Sequence, residues 1–276
     1  GGDQAVVVQN KATQFFGGTS TVAAKATRVR ARIVAQTINE QMQASDKVFI
    51  MGHANEDYDA IGSAIGMAKL SLSLNKETYI VVSGRNENVN RISEMLASES
   101  MKVTGHEEDY NSIMVEEEEA LKHITPDSLL VLVDHHREIL TASKAVLEAI
   151  SKRIIVDHHR RAEDLIGDTV LLYLEPSSSS TSELLTELVG YFNDRLEITP
   201  AEATALYSGI VLDTKNFAVQ TGERTFEAAA LLRRSGADPN MVRLMFKDDM
   251  DVLKLRARLI AEAKTIEPGI AIALYK

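Results

Sequence analysis

The chain contains no cysteine. Disulfides therefore contribute nothing to its fold, and no thiolate is present to serve as a nucleophile or a soft metal ligand. Any metal site must be built from histidine, aspartate and glutamate. Long apolar runs are missing as well. The longest, such as Leu129 to Val133, fall far short of the roughly 18 residues of a membrane span. No basic segment followed by an apolar stretch opens the chain, so no secretory signal is expected, and Gly1, Gly2, Asp3 and Gln4 read as a boundary inside a longer protein. An excess of positive charge is also absent. The formal net charge of -10 counts against long nucleic acid, which needs a basic face to neutralise many phosphates. Small phosphorylated ligands stay open, because metal ions and a few local cations can reverse the potential of one cleft. No G-x-x-x-x-G-K-[ST] loop occurs, so chemistry driven by nucleoside triphosphates has no support.

What is present describes a globular protein: 276 residues, 45% hydrophobic and 25% charged, enough to bury a sizeable core. Short β-rich runs at Lys47 to Met51, Thr78 to Val82, Leu129 to Val133, Arg153 to Val156 and Val170 to Leu174 alternate with helical patterns. That alternation predicts an α/β fold, a mainly parallel sheet flanked by helices. Thr19 to Gln43 reads as a long helix leading in. Helical spacing dominates Ser179 to Asn193, Pro200 to Leu212, Arg224 to Ser235 and Asp249 to Ala263, and Ile270 to Tyr275 reads as a strand. The run Glu116 to Glu119 reads as a solvated helix face.

Chemistry gathers at the ends of the expected strands. After Met51 comes GHANEDYD, Gly52 to Asp59, which sets His53, Asp57 and Asp59 just beyond a strand's carboxyl end, where α/β sheets place ligands. The same acids could simply cap a helix beginning near Asp59. Two further runs, LLVLVDHH ending at His136 and RIIVDHH ending at His159, each deliver an Asp and two His to a strand terminus. Imidazole with hard carboxylate oxygens suits Mn²⁺ or Mg²⁺. A buried Asp bonded to a neighbouring His is the bland alternative. Ser177 to Ser180 with Thr181 can cap a helix or hold an anion at its N-terminus, and capping is favoured. Arg160, Arg161 and Arg224 are candidate cations for phosphate oxygens, because guanidinium matches them bidentately.

In their order, these motifs resemble the DHH phosphoesterase superfamily. GGDQ, VFIMGH, DHHRR, EPSSSSTSELLTEL, GIVLDTKNF and RTFEAAALLRRSGAD narrow the resemblance to the catalytic part of bacterial cyclic di-AMP phosphodiesterases of the GdpP/YybT type. It implies two divalent ions, by preference Mn²⁺, one held by His53, Asp57 and Asp134 and the other by Asp59, Asp134, His158 and Asp213. It implies that Asp157 orients His158 and that His159 faces the substrate phosphate. A hydroxide bridging the ions would open the cyclic dinucleotide to a linear product with a 5′ phosphate. Two positions depart from the family pattern. Glu56 stands where a proline is common, which would loosen the metal loop or add charge beside the ions, and His135 makes the second motif a copy of the third.

The implied organisation is residues 1–18 as the remnant of a GGDEF-like domain, 19–46 as a linker helix, 47–248 as the DHH domain, and 249–276 as a connecting helix and the first strand of a truncated second domain. With that second domain missing, weak or absent turnover is expected unless it is restored. The expected partner is a cyclic dinucleotide or a short oligonucleotide. A nuclease of short oligonucleotides and a non-catalytic nucleotide-binding module are the alternatives, and a homodimer is compatible with the sequence. The segment is expected to be soluble and to face the cytoplasm without touching a membrane, its parent being anchored in one.

Overall fold

The computed structural model describes residues 5–9, 12–16, 21–100, 110–193, 196–247 and 250–274. Gly1 to Gln4, Thr19, Asp249 and Tyr275, where expected motifs or elements begin or end, lie outside them. An antiparallel hairpin, β1 (Ala5–Gln9) and β2 (Ala12–Phe16), comes first. Helix α1 (Thr21–Gln43) follows. Its residues Ala31, Val34, Ala35, Ile38 and Met42 are buried, and that recurrence at three and four positions marks one helical face. The stretch expected as a linker is thus packed into the body of the fold.

Six strands form one parallel sheet: β3 (Lys47–Met51), β4 (Glu77–Val81), β5 (Met114–Val115), β6 (Leu129–Val133), β7 (Lys152–Asp157) and β8 (Thr169–Leu174). Their order across the sheet is β5-β4-β3-β6-β7-β8. All five expected strands are present, and β5 adds a sixth. A two-residue strand is too short to leave an alternation in the sequence. The central strands are apolar without interruption, every residue from Val48 to Met51 and from Leu129 to Val133 having 0% exposure, as expected for parallel strands covered on both faces.

The chain starts at β3, steps outward through β4 and β5, and then returns to the other side of β3 for β6, β7 and β8. Right-handed crossovers running in opposite directions place their helices on opposite faces of the sheet. Phe49, Met51, Leu130, Leu132 and Ile155 accordingly pack with Ala120 of α5 (Glu117–His123) and with Val146 and Leu147 of α6 (Lys144–Ala149). Against the other face lies α2 (Tyr58–Ser73). Its outer side is covered in turn by α7 (Thr181–Phe192) and α8 (Pro200–Asp213). A Cβ at Gly62 would lie 2.5 Å from the carbonyl oxygen of Ala205, so α8 can cross α2 only over a glycine. The topological switch falls between β3 and β6, where α/β sheets open a crevice at the strands' carboxyl ends.

Helices α3 (Glu87–Ser100), α4 (Tyr110–Ile113) and α9 (Glu223–Arg234) belong to the first of two compact units, and α10 (Pro239–Met245) begins at the division between them, which falls between Pro239 and Asn240. The second unit carries α11 (Met250–Glu262) and an antiparallel hairpin, β9 (Lys264–Glu267) with β10 (Ile270–Ile272). One strand was expected there, and the structure has two. Among the described residues no helix is long and apolar enough to cross a membrane.

Candidate metal centre

The loop after β3 carries the first ligand candidates. His53 Nδ1 lies 2.9 Å from the carbonyl oxygen of Ala54, and a carbonyl can only accept. Nδ1 therefore carries a proton, which leaves Nε2 as the atom turned to the acids: it is 3.7 Å from Asp57 Oδ1 and 3.5 Å from Asp134 Oδ2. Asp57 is also the N-cap of α2, its Oδ1 accepting from the amides of Asp59 (2.9 Å) and Ala60 (3.0 Å). The capping and ligand readings thus describe one side chain. Burial opposes its ionisation, but His53 and those two amides outweigh burial and hold the carboxyl below its ordinary value. Asn55 takes a left-handed backbone, φ 56°, a conformation that asparagine tolerates better than most residues.

Glu56 does not add charge beside the acids. It is buried, and its carboxylate accepts from the Ser83 amide, from Ser83 Oγ (2.9 Å) and from Asn86 Nδ2 (3.2 Å). Its carbonyl accepts from Asn86 Nδ2 (3.0 Å) and Asn88 Nδ2 (3.1 Å). The loop is tied down by hydrogen bonds where a proline would have stiffened it.

Asp59 has 0% exposure. Its two carboxylate oxygens accept from the amides of Thr181 (2.7 Å) and Ser182 (2.9 Å) in the first turn of α7. Those amides have no intrahelical partner, and the helix dipole adds positive potential there. The serine run thus caps α7, Ser180 Oγ accepting from the Glu183 amide at 3.0 Å, while the free amides of α7 hold an aspartate. Burial, with the charges of Asp134 and Asp213 added, pushes the Asp59 carboxyl well above its usual range.

Asp134 closes β6 with φ 61°. Its Oδ1 accepts from Thr181 Oγ1 at 3.0 Å and lies 3.6 Å from His158 Nε2, while Oδ2 faces His53. Beyond β7, His158 Nε2 lies 3.1 Å from Asp213 Oδ2. Yet that nitrogen is buried and has no partner in hydrogen-bond geometry. Asp213 lies close but off the hydrogen-bond axis, so it attracts the ring by charge and leaves Nε2 without a hydrogen bond. Burial works against charge on His158, but Asp213, Asp59 and Asp134 hold it up at about 10. Asp134 and Asp57 push His53 up to about 11. Ligand atoms in each of three groups lie within 4.8 Å of one another: His53, Asp57 and Asp134; Asp59, His158 and Asp213; and Asp134, His158 and His159. A buried imidazole nitrogen without a partner, surrounded by hard oxygens, is a donor set that a divalent cation satisfies.

Two expectations need correction. Asp157 does not orient His158. Its Oδ1 accepts from the amide (3.0 Å) and Nδ1 (2.8 Å) of His159, and its Oδ2 accepts from Nδ1 of His136. Consecutive residues beyond a strand end point in different directions, so the carboxylate reaches the second histidine of its own motif and one from the motif before. His159 is raised by Asp157 and leaves its ring half exposed. Arg224 is ion-paired with Glu187 and mostly buried, its charge secured by that carboxylate, so it is not the free phosphate-holding cation expected. Arg160 and Arg161, by contrast, are exposed and unpaired among the described residues. The departure at His135 places a buried ring against the Val133 carbonyl at 3.0 Å, and burial lowers it to about 4. Two participants escaped the sequence reading. Thr181 was visible as a helix start or an anion holder but not as a partner of Asp134, and His136 only as half of a repeated motif.

A family model described as the DHH family, N-terminal domain, matches residues 47–210. Over 99% of its length the chain is 42% identical to a protein of Geobacillus thermodenitrificans named cyclic-di-AMP phosphodiesterase GdpP, of which it covers 41%. It is 39% identical, with the same two coverages, to one of Listeria monocytogenes named cyclic-di-AMP phosphodiesterase PdeA. The chain therefore spans about two fifths of the length of these curated relatives. A solved structure, an exopolyphosphatase-related protein from Bacteroides fragilis, shares the fold at a TM-score of 0.65 and 22% identity, over 86% of this chain and 66% of its own.

Proposed function

This chain belongs to the DHH family, and on that premise we propose that it is the metal-binding catalytic part of a phosphodiesterase that opens cyclic di-AMP to linear pApA. The observation that carries the reading is Asp134, a buried carboxylate with one oxygen facing His53 and the other facing His158. In this reading His53, Asp57 and Asp134 hold one divalent ion, and Asp59, Asp134, His158 and Asp213 hold the second, Mn²⁺ by preference. Both oxygens of Asp59 already accept an amide, but a carboxylate offers about four lone-pair sites and keeps room for a cation. Bound together, two such ions supply a nucleophile at neutral pH and compensation for charge on the leaving oxygen. The protein's own groups do the rest. Asp157 fixes the His159 ring, whose Nε2 is turned over to the substrate phosphate. Arg160 and Arg161, exposed on the same loop, hold the non-reacting oxygens bidentately. The acidic balance of -10 keeps long nucleic acid away, so the ligand is a cyclic dinucleotide or a short oligonucleotide. The same reading puts this segment on the cytoplasmic side of a membrane-anchored parent.

The test is hydrolysis by the purified full-length protein with Mn²⁺. Cyclic di-AMP should be opened faster than linear dinucleotides are degraded, and chelation should stop both. The reverse order of rates would replace this reading with that of a short-oligonucleotide nuclease.

Metal binding should also release protons. With His53 held at about 11 and His158 at about 10, both rings are protonated in the metal-free protein at neutral pH, and a ligand nitrogen must give up its proton. Calorimetry at pH 7 in buffers of different ionisation enthalpy should therefore report about two protons released per site pair, and affinity should rise with pH. For the metal-free fold the sign is opposite. Both values are raised above the ordinary 6.5, so the stability these imidazolium contacts give is full below 6.5 and is lost as pH climbs through 10 and 11. No proton release on binding would remove His53 and His158 from the ligand set.

A further inference from the structure

His136 belongs to neither half of the ligand set, yet it is buried at 2% exposure with both ring nitrogens engaged. Its Nε2 accepts from the backbone amide of Ala162 at 2.9 Å. An amide N–H can only donate, so Nε2 holds a lone pair, and the ring proton sits on Nδ1, directed at Asp157 Oδ2. The remaining Asp157 oxygen takes the Nδ1–H of His159 at 2.8 Å. A chain of defined polarity thus runs from the Ala162 amide through His136 and Asp157 to His159, and it leaves Nε2 as the unshared atom of that last ring.

The backbone around His136 holds the same loop a second time. The His136 carbonyl accepts from the Ile166 amide at 2.9 Å, Arg137 forms an antiparallel bridge with Leu165, and Arg137 Nε reaches both oxygens of Asp164 at 2.8 and 2.9 Å. Residues 158–161, which carry His158, His159, Arg160 and Arg161, are therefore anchored at one end by Asp157 and at the other by Ala162, and His136 touches both anchors. Its neighbour His135 hydrogen-bonds to neither, its Nδ1 being taken by the Val133 carbonyl and its Nε2 having no partner.

We propose that His136 is a positioning residue of the phosphodiesterase site: through Asp157 it sets the orientation and tautomer of His159, and through Ala162 it holds the loop of exposed arginines against the substrate. The inference rests on the phosphodiesterase reading above. It gives the duplicated Asp-His-His motif a division of labour, the second copy supplying one ligand candidate in Asp134 and one brace in His136.

Two substitutions separate the two ends of the brace. In His136→Asn the side-chain amide nitrogen falls near Nδ1 and keeps a donor for Asp157 while losing the acceptor for Ala162. In His136→Gln the amide oxygen falls near Nε2 and keeps that acceptor while losing the donor. With Mn²⁺ content and folding verified for each, His136→Gln should lower kcat for cyclic di-AMP by about 10- to 100-fold, the scale of losing a partner behind a first-line residue, with KM little changed. His136→Asn should keep kcat within about tenfold of wild type, raise KM, and speed tryptic cleavage at Arg160 and Arg161. Equal losses in the two variants, or losses that track metal content alone, would overturn the positioning role. Full-length wild-type protein that hydrolyses no phosphodiester would sink the functional reading instead. The tryptic comparison would then still judge the loop brace, and unchanged cleavage in His136→Asn would refute it.

Discussion

Asp134→Asn is expected to remove metal-dependent hydrolysis, by on the order of a thousandfold or about 4 kcal/mol of transition-state stabilisation, while leaving the metal-free protein at least as stable as wild type. The two effects have one cause. Asp134 is buried, and burial pushes its carboxyl up, with Asp57 adding repulsion. Its charge in turn helps to push Asp59 up. Without a metal, burial and the Asp57 charge outweigh what His53 and His158 return to that carboxylate, and the isosteric amide removes the net cost. The amide oxygen can still accept from Thr181 Oγ1, and asparagine tolerates φ 61°. What it cannot provide is negative charge shared by both half-sites. Thermal denaturation with and without Mn²⁺ checks the first half: the metal-free Tm should hold or rise, and the metal-induced increment should shrink. Asp134→Ala would confound the comparison, because alanine is strained in the left-handed region by about 1–2 kcal/mol. An Asp134→Asn protein that binds two ions and keeps rates within tenfold of wild type would dismiss the shared-carboxylate reading.

Strand ends were legible because two patterns coincide there. An apolar run reports a buried parallel strand, and an Asp or His straight after it reports where the sheet's carboxyl edge lies. That was enough to single out His53, Asp57, Asp59, Asp134 and His158, whereas Asp213, the last residue of α8, came only from the family resemblance; the fold brings all six together. Direction was not legible. Asp157 precedes His158 in sequence, yet it bonds His159 and, across 21 positions, His136. Glu56 was read against the proline expected at its position, whereas its partner Ser83 lies 27 positions away on the loop after β4. The reason is common to both. A loop side chain's neighbours are set by sheet order and crossover hand, and the period of the sequence carries neither. Arg224 was misplaced for a related reason: a guanidinium looks the same in sequence whether a phosphate or a buried Glu187 awaits it. The Ser177 to Ser180 run signalled a helix start but not what its free amides would hold.

Gly209→Ala sets helix propensity against packing, and packing should win. Alanine is favoured over glycine inside a helix by about 1 kcal/mol, and Gly209 lies within α8. Yet a Cβ there would meet Ser182 Oγ in hard overlap, would lie 2.5 Å from Asp59 Oδ1, and would come 2.9 Å from the Asp59 Cα. One of those neighbours is backbone and another is a carboxylate held at both oxygens by α7 amides, so neither can swing aside. Overpacking of this kind costs about 1–3 kcal/mol, and here the movement also displaces a ligand candidate. The expected result is a fall in Tm with a disproportionate loss of Mn²⁺ affinity. Gly190→Ala is the control. That glycine lies in α7, and an added methyl would meet nothing within 4 Å, so propensity acts alone and Tm should rise. If both variants shift Tm in the same direction, the close approach of α8 to Asp59 is not what holds that carboxylate in place.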